Sequence, residues 1–255
     1  MNNLEIYKEV SKIAKAIKVD TGGGCQIPKA ALMAKLAIDN DLKTFVEIGV
    51  YRGRSFFPMA KAMQITGGHA YGIDPYTNED AYEDAVPAEL EAAVRIFFEE
   101  TDFPSIYPEV ISFQEVSGLS SCSTILKTTS SEAARFFIEN KLSIDMLHID
   151  GNHDYQAVKD DLENYFPLIK KDGFIVLDDT NWASVRGVLN ESLARNVSCF
   201  FASETFTILQ KSDAKVIIDV ADRIADLKLQ RYYRFVENCS LEPIGLFAQK
   251  QLKAA

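Results

Sequence analysis

The sequence predicts a doubly wound α/β fold built on a mainly parallel, seven-stranded sheet with an antiparallel C-terminal hairpin. Three observations predict it. From Thr44 onward short apolar runs alternate with longer amphipathic stretches, the apolar runs end in acidic residues, and two last β-type runs flank Ser203-Glu204. Strand and helix in alternation imply right-handed crossovers and a sheet covered on both faces.

Taken in order, Ile6, Tyr7, Val10, Ile13, Ala14 and Ile17 recur at three- and four-residue steps and predict a first helix. The run from Thr21 to Gly24 breaks the chain before Pro28 opens a second helix reaching about Ile38. Neither helix buries its apolar face alone. Residues 1–43 are therefore expected to cap residues 44–255 rather than to form a domain of their own. The runs Phe45–Gly49, His69–Asp74, Val110–Phe113, Ile144–Asp150 and Phe174–Asp178 read as buried strands. Tyr155, Val158, Leu162, Tyr165 and Ile169 share one helical face. A further helix is expected near 183–195, followed by a hairpin of Val197–Ala202 and Thr205–Gln210. Residues 78–91, NEDAYEDAVPAELE, form an acidic segment after the second strand. It reads either as a solvated loop entering a helix or as a lid, because loops at the carboxyl ends of parallel strands bind ligands.

Composition narrows the function classes. The chain is 47% hydrophobic and 25% charged, which suits a packed globular protein. With 27 Lys and Arg against 37 Asp and Glu its formal charge is −10, a field that repels phosphate backbones and anionic membranes. Nucleic acid and membrane are excluded as expected partners. No basic segment followed by an apolar run opens the chain, and no apolar run approaches a membrane span. Cys25, Cys122, Cys199 and Cys239 form no CxxC pair, as expected of inert reduced thiols in a cytoplasmic protein.

In such a sheet the ligand crevice lies outside the carboxyl ends of the strands. The first strand passes into Glu47-Ile-Gly49-Val-Tyr51-Arg-Gly53-Arg-Ser55, a glycine turn entering a helix. Its glycines are spaced GxxxG with an acid beside them, which disfavours a pyrophosphate and suits a cofactor carrying both an amine and a carboxylate. The second strand ends in Asp74, whose carboxylate can accept both hydroxyls of a ribose. The fourth ends in Asp150 and the fifth in Asp178-Asp179, one βα unit apart. Three converging carboxylates repel one another unless a cation stands between them, and an all-oxygen set selects Mg²⁺ or another hard divalent ion. The alternative is that these aspartates cap the following helices. His153 lies three residues after Asp150 at a helix start, while His69 and His148 fall within strands as core histidines.

The stretches VEIGVYRGRS, GID and LHIDGNHDYQAVKDDLENYFPLIKKDGFIVLDD resemble the class I S-adenosylmethionine-dependent methyltransferases over roughly residues 44–180. Within them the chain is similar to the metal-dependent O-methyltransferases that include catechol O-methyltransferase and the macrocin and mycinamicin sugar O-methyltransferases. The resemblance implies a Rossmann-like methyltransferase fold. It also implies that Glu47, Gly49, Tyr51, Gly53 and Ser55 hold the methionine part of the cofactor and that Asp74 takes its ribose. By a looser match Ser117, expected just after the third strand, would approach the adenine. Asp150 would serve cofactor and ion together, with Asp178 and Asp179 completing the ion's ligands. His153 would be the general base, where catechol O-methyltransferase has a lysine; its alternative is a plain helix-start residue.

Gly151-Asn-His-Asp154 also spells an element of the calcineurin-like metallophosphoesterases, but the DxH and GDxxD partners of that site are missing. The expectation is a metal-dependent O-methyltransferase acting on a small-molecule hydroxyl. A sugar diol comes first because the base is His, and a catechol-like phenol second. Tyr76, Tyr82 and Trp182 are candidate walls of the acceptor pocket, and family habit suggests a homo-oligomer. Two alternatives stay open: an N- or C-methyltransferase without catalytic metal, and a non-catalytic S-adenosylmethionine-binding protein.

Overall fold

A computed structural model describes residues 1–19, 24–193, 196–212 and 227–239. The seven strands are β1 (Thr44–Ile48), β2 (His69–Ile73), β3 (Ser123–Leu126), β4 (Ile144–Ile149), β5 (Ile169–Leu177), β6 (Val197–Ala202) and β7 (Thr207–Lys211). They lie in the order β3-β2-β1-β4-β5-β7-β6, parallel except for β7, which runs antiparallel to both β5 and β6. The chain order reverses between β1 and β4, so their carboxyl ends open the crevice expected of a doubly wound sheet.

Period-two alternation sorts the strand residues onto two buried faces. Phe45, Met146, Phe174, Val176 and Ile208 meet α1 (Asn3–Ala16), α2 (Ile27–Asp39) and α3 (Phe56–Thr66) on one side. The same side also receives helices that follow later in the chain, α6 (Phe103–Val116) and α10 (Leu227–Cys239). Val46, Ile48, Leu147, Ile149 and Ile175 meet α7 (Ser130–Glu139), α8 (Tyr155–Tyr165) and α9 (Ala183–Ser192) on the other. A single turn, α4 (Asn78–Ala81), and α5 (Glu91–Glu100) follow β2. Pro28 stands in the first turn of α2, where its missing N–H costs nothing, and every residue from Pro28 to Ala37 is buried. Thr21–Gly23 of the expected glycine break, residues 194–195 of the expected helix end and most of the C-terminal tail lie outside the described residues.

Two elements differ from the sequence reading. Val110–Phe113 belongs to helix α6, not to a strand. Its β-branched residues are overruled by helical spacing: Phe103, Ile106, Val110 and Gln114 share the buried face, and Pro104 opens the first turn. The third strand is the short run Ser123–Leu126, which joins β2 at the sheet edge. Ile169 leaves the helical face assigned to it, because Pro167 cannot extend α8 and a 3₁₀ turn delivers Ile169 to β5.

Candidate active site

The carboxyl ends of the parallel strands surround a cavity of about 560 Å³, within the range of small-molecule sites. Among the residues expected to hold a cofactor, Gly49, Tyr51, Ser55, Asp74 and Asp150 line it. Gly49 has φ +85°, and a Cβ there would meet the Asp150 carbonyl oxygen at 2.1 Å. The glycine is thus what lets the ends of β1 and β4 touch. Tyr51, Tyr76 and Asp179, all non-glycine residues, hold left-handed φ values of 49°, 52° and 46° at this same end of the sheet. Backbone strain of this kind gathers at functional sites. Asp74 accepts N–H bonds from Tyr51 and Tyr76, each 2.8 Å, which fixes both oxygens at the cavity wall. Burial raises its pKa against those bonds.

Glu47, Gly53 and Ser117 are not among the lining residues. Glu47 faces the α2 and α3 side, fully buried, where it accepts from Ser55 Oγ at 2.8 Å and pairs with His148 Nδ1 at 3.1 Å. The register that sets Glu47 beside His148 makes this pair. Gly53 serves the turn: φ is +80°, and a Cβ would run into the Phe57 ring at 2.4 Å. Ser117 caps the end of α6, its hydroxyl donating to Gln114 O at 3.2 Å. It lies at the amino end of β3, away from the crevice, because the strand expected before it is a helix. The residues that follow the true third strand and line the cavity are Thr129, Ser130 and Ser131. Their signal in the sequence is Thr129-Ser-Ser-Glu132, a capping pattern in which Thr129 Oγ1 accepts from Glu132 N at 3.4 Å.

Asp150, Asp178 and Asp179 do converge, and two cations of the chain itself meet them. Lys29 reaches over from α2, 3% exposed, donates to Asp178 Oδ2 and lies 3.6 Å from Asp150 Oδ2. His153 Nε2 lies 3.3 Å from Asp179 Oδ2 and 3.9 Å from Asp150 Oδ1. Donor atoms of His148, Asp150 and Asp178, and of Asp150, His153 and Asp179, lie within 4.8 Å of one another. In the first set, however, Asp150 and Asp178 already face the Lys29 ammonium, and the second contains an imidazole in place of a third carboxylate. An ion bridging Asp150 Oδ2 and Asp178 Oδ2 would compete with Lys29 Nζ for both oxygens. The residues present therefore do not fit the expected all-carboxylate site for a hard divalent ion. Lys29 carries no signal in the sequence because it lies in α2, ahead of the first strand and far from the strand ends it meets.

Electrostatics follow from burial and these pairings. Burial works to raise Asp178, but Lys29 and His148 outweigh it and hold the carboxyl well below its usual range. Asp150 is driven the other way, well above that range, by burial and by Asp178. Asp179 is pushed up to about 6, again by burial and Asp178. Burial opposes the charge on Lys29, yet Asp150 and Asp178 raise its pKa. For His153 burial favours the neutral ring, while Glu83, Asp179 and Asp150 prevail and lift it to about 10.

Glu83 comes from the acidic segment, which is no free loop. Glu83 Oε1 pairs with His153 Nδ1 at 2.8 Å, Asn152 Nδ2 donates to Tyr82 O at 2.8 Å, and Asp84 N and Ala85 N donate to Asp154 at 3.0 and 2.6 Å. Thr77, Asp80, Ala81 and Glu83 line the cavity, so the segment roofs the site. Trp182 stands against the other side of the imidazole, ring centroids 4.9 Å apart. None of the three expected wall residues lines the cavity: Tyr76 and Trp182 are core, and Tyr82 is exposed. Cys25 does, with its thiol pushed up to about 12 by burial, and so remains unreactive. No helix among the described residues is long and apolar enough to cross a membrane.

Residues 46–180 match the model of a family described as a methyltransferase domain. No curated protein matches the chain. Among solved structures it is similar to the O-methyltransferase TomG from Streptomyces achromogenes, which is involved in tomaymycin synthesis and was solved with S-adenosylmethionine. That likeness has TM-score 0.56 and 14% identity over 82% of this chain and 90% of that one. The O-methyltransferase NovP aligns with TM-score 0.57 and 15% identity, over 82% and 98%. The calicheamicin-biosynthesis enzyme CalS11, a TDP-rhamnose 3′-O-methyltransferase, aligns with TM-score 0.51 and 17% identity, over 82% and 94%. At these identities the likeness is one of fold.

Proposed function

The chain belongs to the methyltransferase domain family, and from that premise we propose that it is an S-adenosylmethionine-dependent enzyme that methylates a hydroxyl oxygen of a small molecule, with a sugar diol as the first acceptor to test. The observation that carries this reading is the meeting of the Gly49–Ser55 turn, Asp74 and Asp150 with a half-buried imidazole, His153, in one cavity. The names of TomG, NovP and CalS11 as O-methyltransferases support oxygen as the acceptor atom, and the TDP-rhamnose substrate of CalS11 supports a sugar.

In this reading the turn and the amino end of α3 receive the methionine carboxylate, with Ser55 at that helix start. Asp150 faces the methionine amine. Asp74, already oriented by two backbone N–H groups, keeps lone pairs for the ribose hydroxyls. Thr129, Ser130, Ser131 and Asp161 line the part of the cavity left for the adenine.

Methyl transfer is an in-line displacement. The acceptor oxygen forms a bond to the methyl carbon, the carbon–sulfur bond breaks, and a neutral thioether leaves. The acceptor proton goes to His153 Nε2, which makes no hydrogen bond among the described residues, while Glu83 engages Nδ1 and orients the ring. Without cofactor the surrounding carboxylates favour the imidazolium; a sulfonium entering the same cavity adds positive charge and favours the neutral base. Trp182 packs against the ring and Glu83 of the roof segment holds it in place.

Calorimetric titration of S-adenosylhomocysteine tests the reading. Micromolar binding is the expected result, followed by transfer of labelled methyl to sugar nucleotides that His153→Ala abolishes. Absence of binding overturns it.

A further inference from the structure

The buried lysine of the N-terminal cap bears on what cation the site uses. Lys29 lies in the first turn of α2, a helix buried along its length, so its position is set by packing rather than by solvent. Its Nζ donates to Asp178 Oδ2, stands 3.6 Å from Asp150 Oδ2 and lies 5.8 Å from the centre of the Phe206 ring. Three surroundings thus converge on one ammonium: a carboxylate from the end of β5, another from the end of β4, and an aromatic face from the turn before β7. Unpaired, a charge this buried would be costly, which is the reason it is found against two carboxylates.

We propose that Lys29 is the resident cation between Asp150 and Asp178, so that methyl transfer here requires no divalent ion held by that pair. The inference rests on the methyltransferase reading for the reaction, but the occupancy of the position by Lys29 is a property of the folded chain. A Mg²⁺ ion binds oxygens at about 2.0–2.1 Å and cannot share them with an ammonium already seated there. The two cations also differ in what they do. An ammonium offers hydrogen bonds but no open coordination position, so it cannot grip two neighbouring oxygens of an acceptor. Vicinal hydroxyls then bring no advantage of chelation, and a single hydroxyl near His153 suffices.

The test is a titration of Mn²⁺ into the full chain saturated with S-adenosylhomocysteine, following free Mn²⁺ by electron paramagnetic resonance. Wild type is expected to bind no Mn²⁺ tighter than ~1 mM, and to bind S-adenosylhomocysteine equally with and without chelator. Lys29→Met, which keeps the apolar stem, is expected to gain a Mn²⁺ site at least about tenfold tighter, as loss of a competing cation allows, and Lys29→Met combined with Asp178→Asn to lose it. Micromolar Mn²⁺ binding by wild type that Asp178→Asn removes overturns the proposal whether or not the lysine variants fold. A folded Lys29→Met protein that gains no site overturns it as well. Failure of wild type to bind S-adenosylhomocysteine is a different failure: it counts against the methyltransferase reading and leaves the Mn²⁺ comparison to decide the place of Lys29.

Discussion

Glu83 Oε1 lies 2.8 Å from His153 Nδ1, joining the acidic roof segment to the imidazole beneath it. The carboxylate fixes the ring's orientation and favours its charged form, and it does so from 70 residues away in the chain. A base held this way acts only after losing a proton.

The pH dependence of methyl transfer follows. In free enzyme His153 is held near 10 by Glu83, Asp179 and Asp150 against the pull of burial. The neutral ring is the base, so kcat/KM is expected to rise with pH through the alkaline range. Glu83→Gln removes the largest factor favouring the imidazolium and lowers that pKa. The rising limb should then move toward neutral pH by about one to two units. A pH–rate profile in which the limb stays in place shows that Glu83 does not set the base.

Asp161 sits on α8, 5% exposed, and burial pushes its carboxyl up to about 7. A raised folded-state pKa means that the protonated acid suits the fold. Its contribution to stability is full below pH ~4 and is lost as pH rises through about 7. Asp161→Asn is therefore expected to stabilise the cofactor-free protein at pH 8, by an amount on the order of a few kcal/mol at most, and to have little effect at pH 4. Urea denaturation at the two pH values distinguishes this from a uniform effect.

Gly49 cannot accept a side chain. A Cβ would come within 2.1 Å of the Asp150 carbonyl oxygen at a φ of +85°. Gly49→Ala is expected to cost about 3 kcal/mol or more and to abolish S-adenosylhomocysteine binding, because the ends of β1 and β4 must part. Denaturation midpoint and calorimetry read the two effects separately.

Asp74 and Ser117 give a matched pair. Asp74 lines the cavity with both oxygens fixed by backbone N–H groups, whereas Ser117 caps a helix at the opposite end of β3. Asp74→Asn should weaken S-adenosylhomocysteine binding about tenfold or more through loss of a charged acceptor, and Ser117→Ala should leave it within about twofold. Equal effects would mean that the cofactor does not lie along Asp74.

How much of the site the sequence reveals depends on the range of the signal. Gly49, Asp74, Asp150, Asp178 and Asp179 line the cavity as expected because each ends or follows an apolar run, and the carboxyl ends of parallel strands share one edge of the sheet. Ser117 is misplaced because Val110–Phe113 carries strand-like residue types at helical spacing, and spacing prevails once Phe103 and Ile106 join the same buried face. Glu47 is read correctly as a strand-end acid yet lies one residue too early. The period of two turns its side chain toward His148 on the face opposite Val46 and Ile48.

The sequence by itself determined the doubly wound sheet, the glycine turn and the gathering of acids at one edge, because strand and helix periods and turn chemistry act over a few neighbouring residues. Only the tertiary structure decided which cations answer those acids. Lys29 stands 149 residues from Asp178 and Glu83 stands 70 from His153, and both pairs exist because packed elements bring them within ion-pair distance. Electrostatic energy depends on separation in space and on burial, and neither is written in spacing along the chain. Three converging aspartates therefore announce that a cation is needed, while the fold chooses which one.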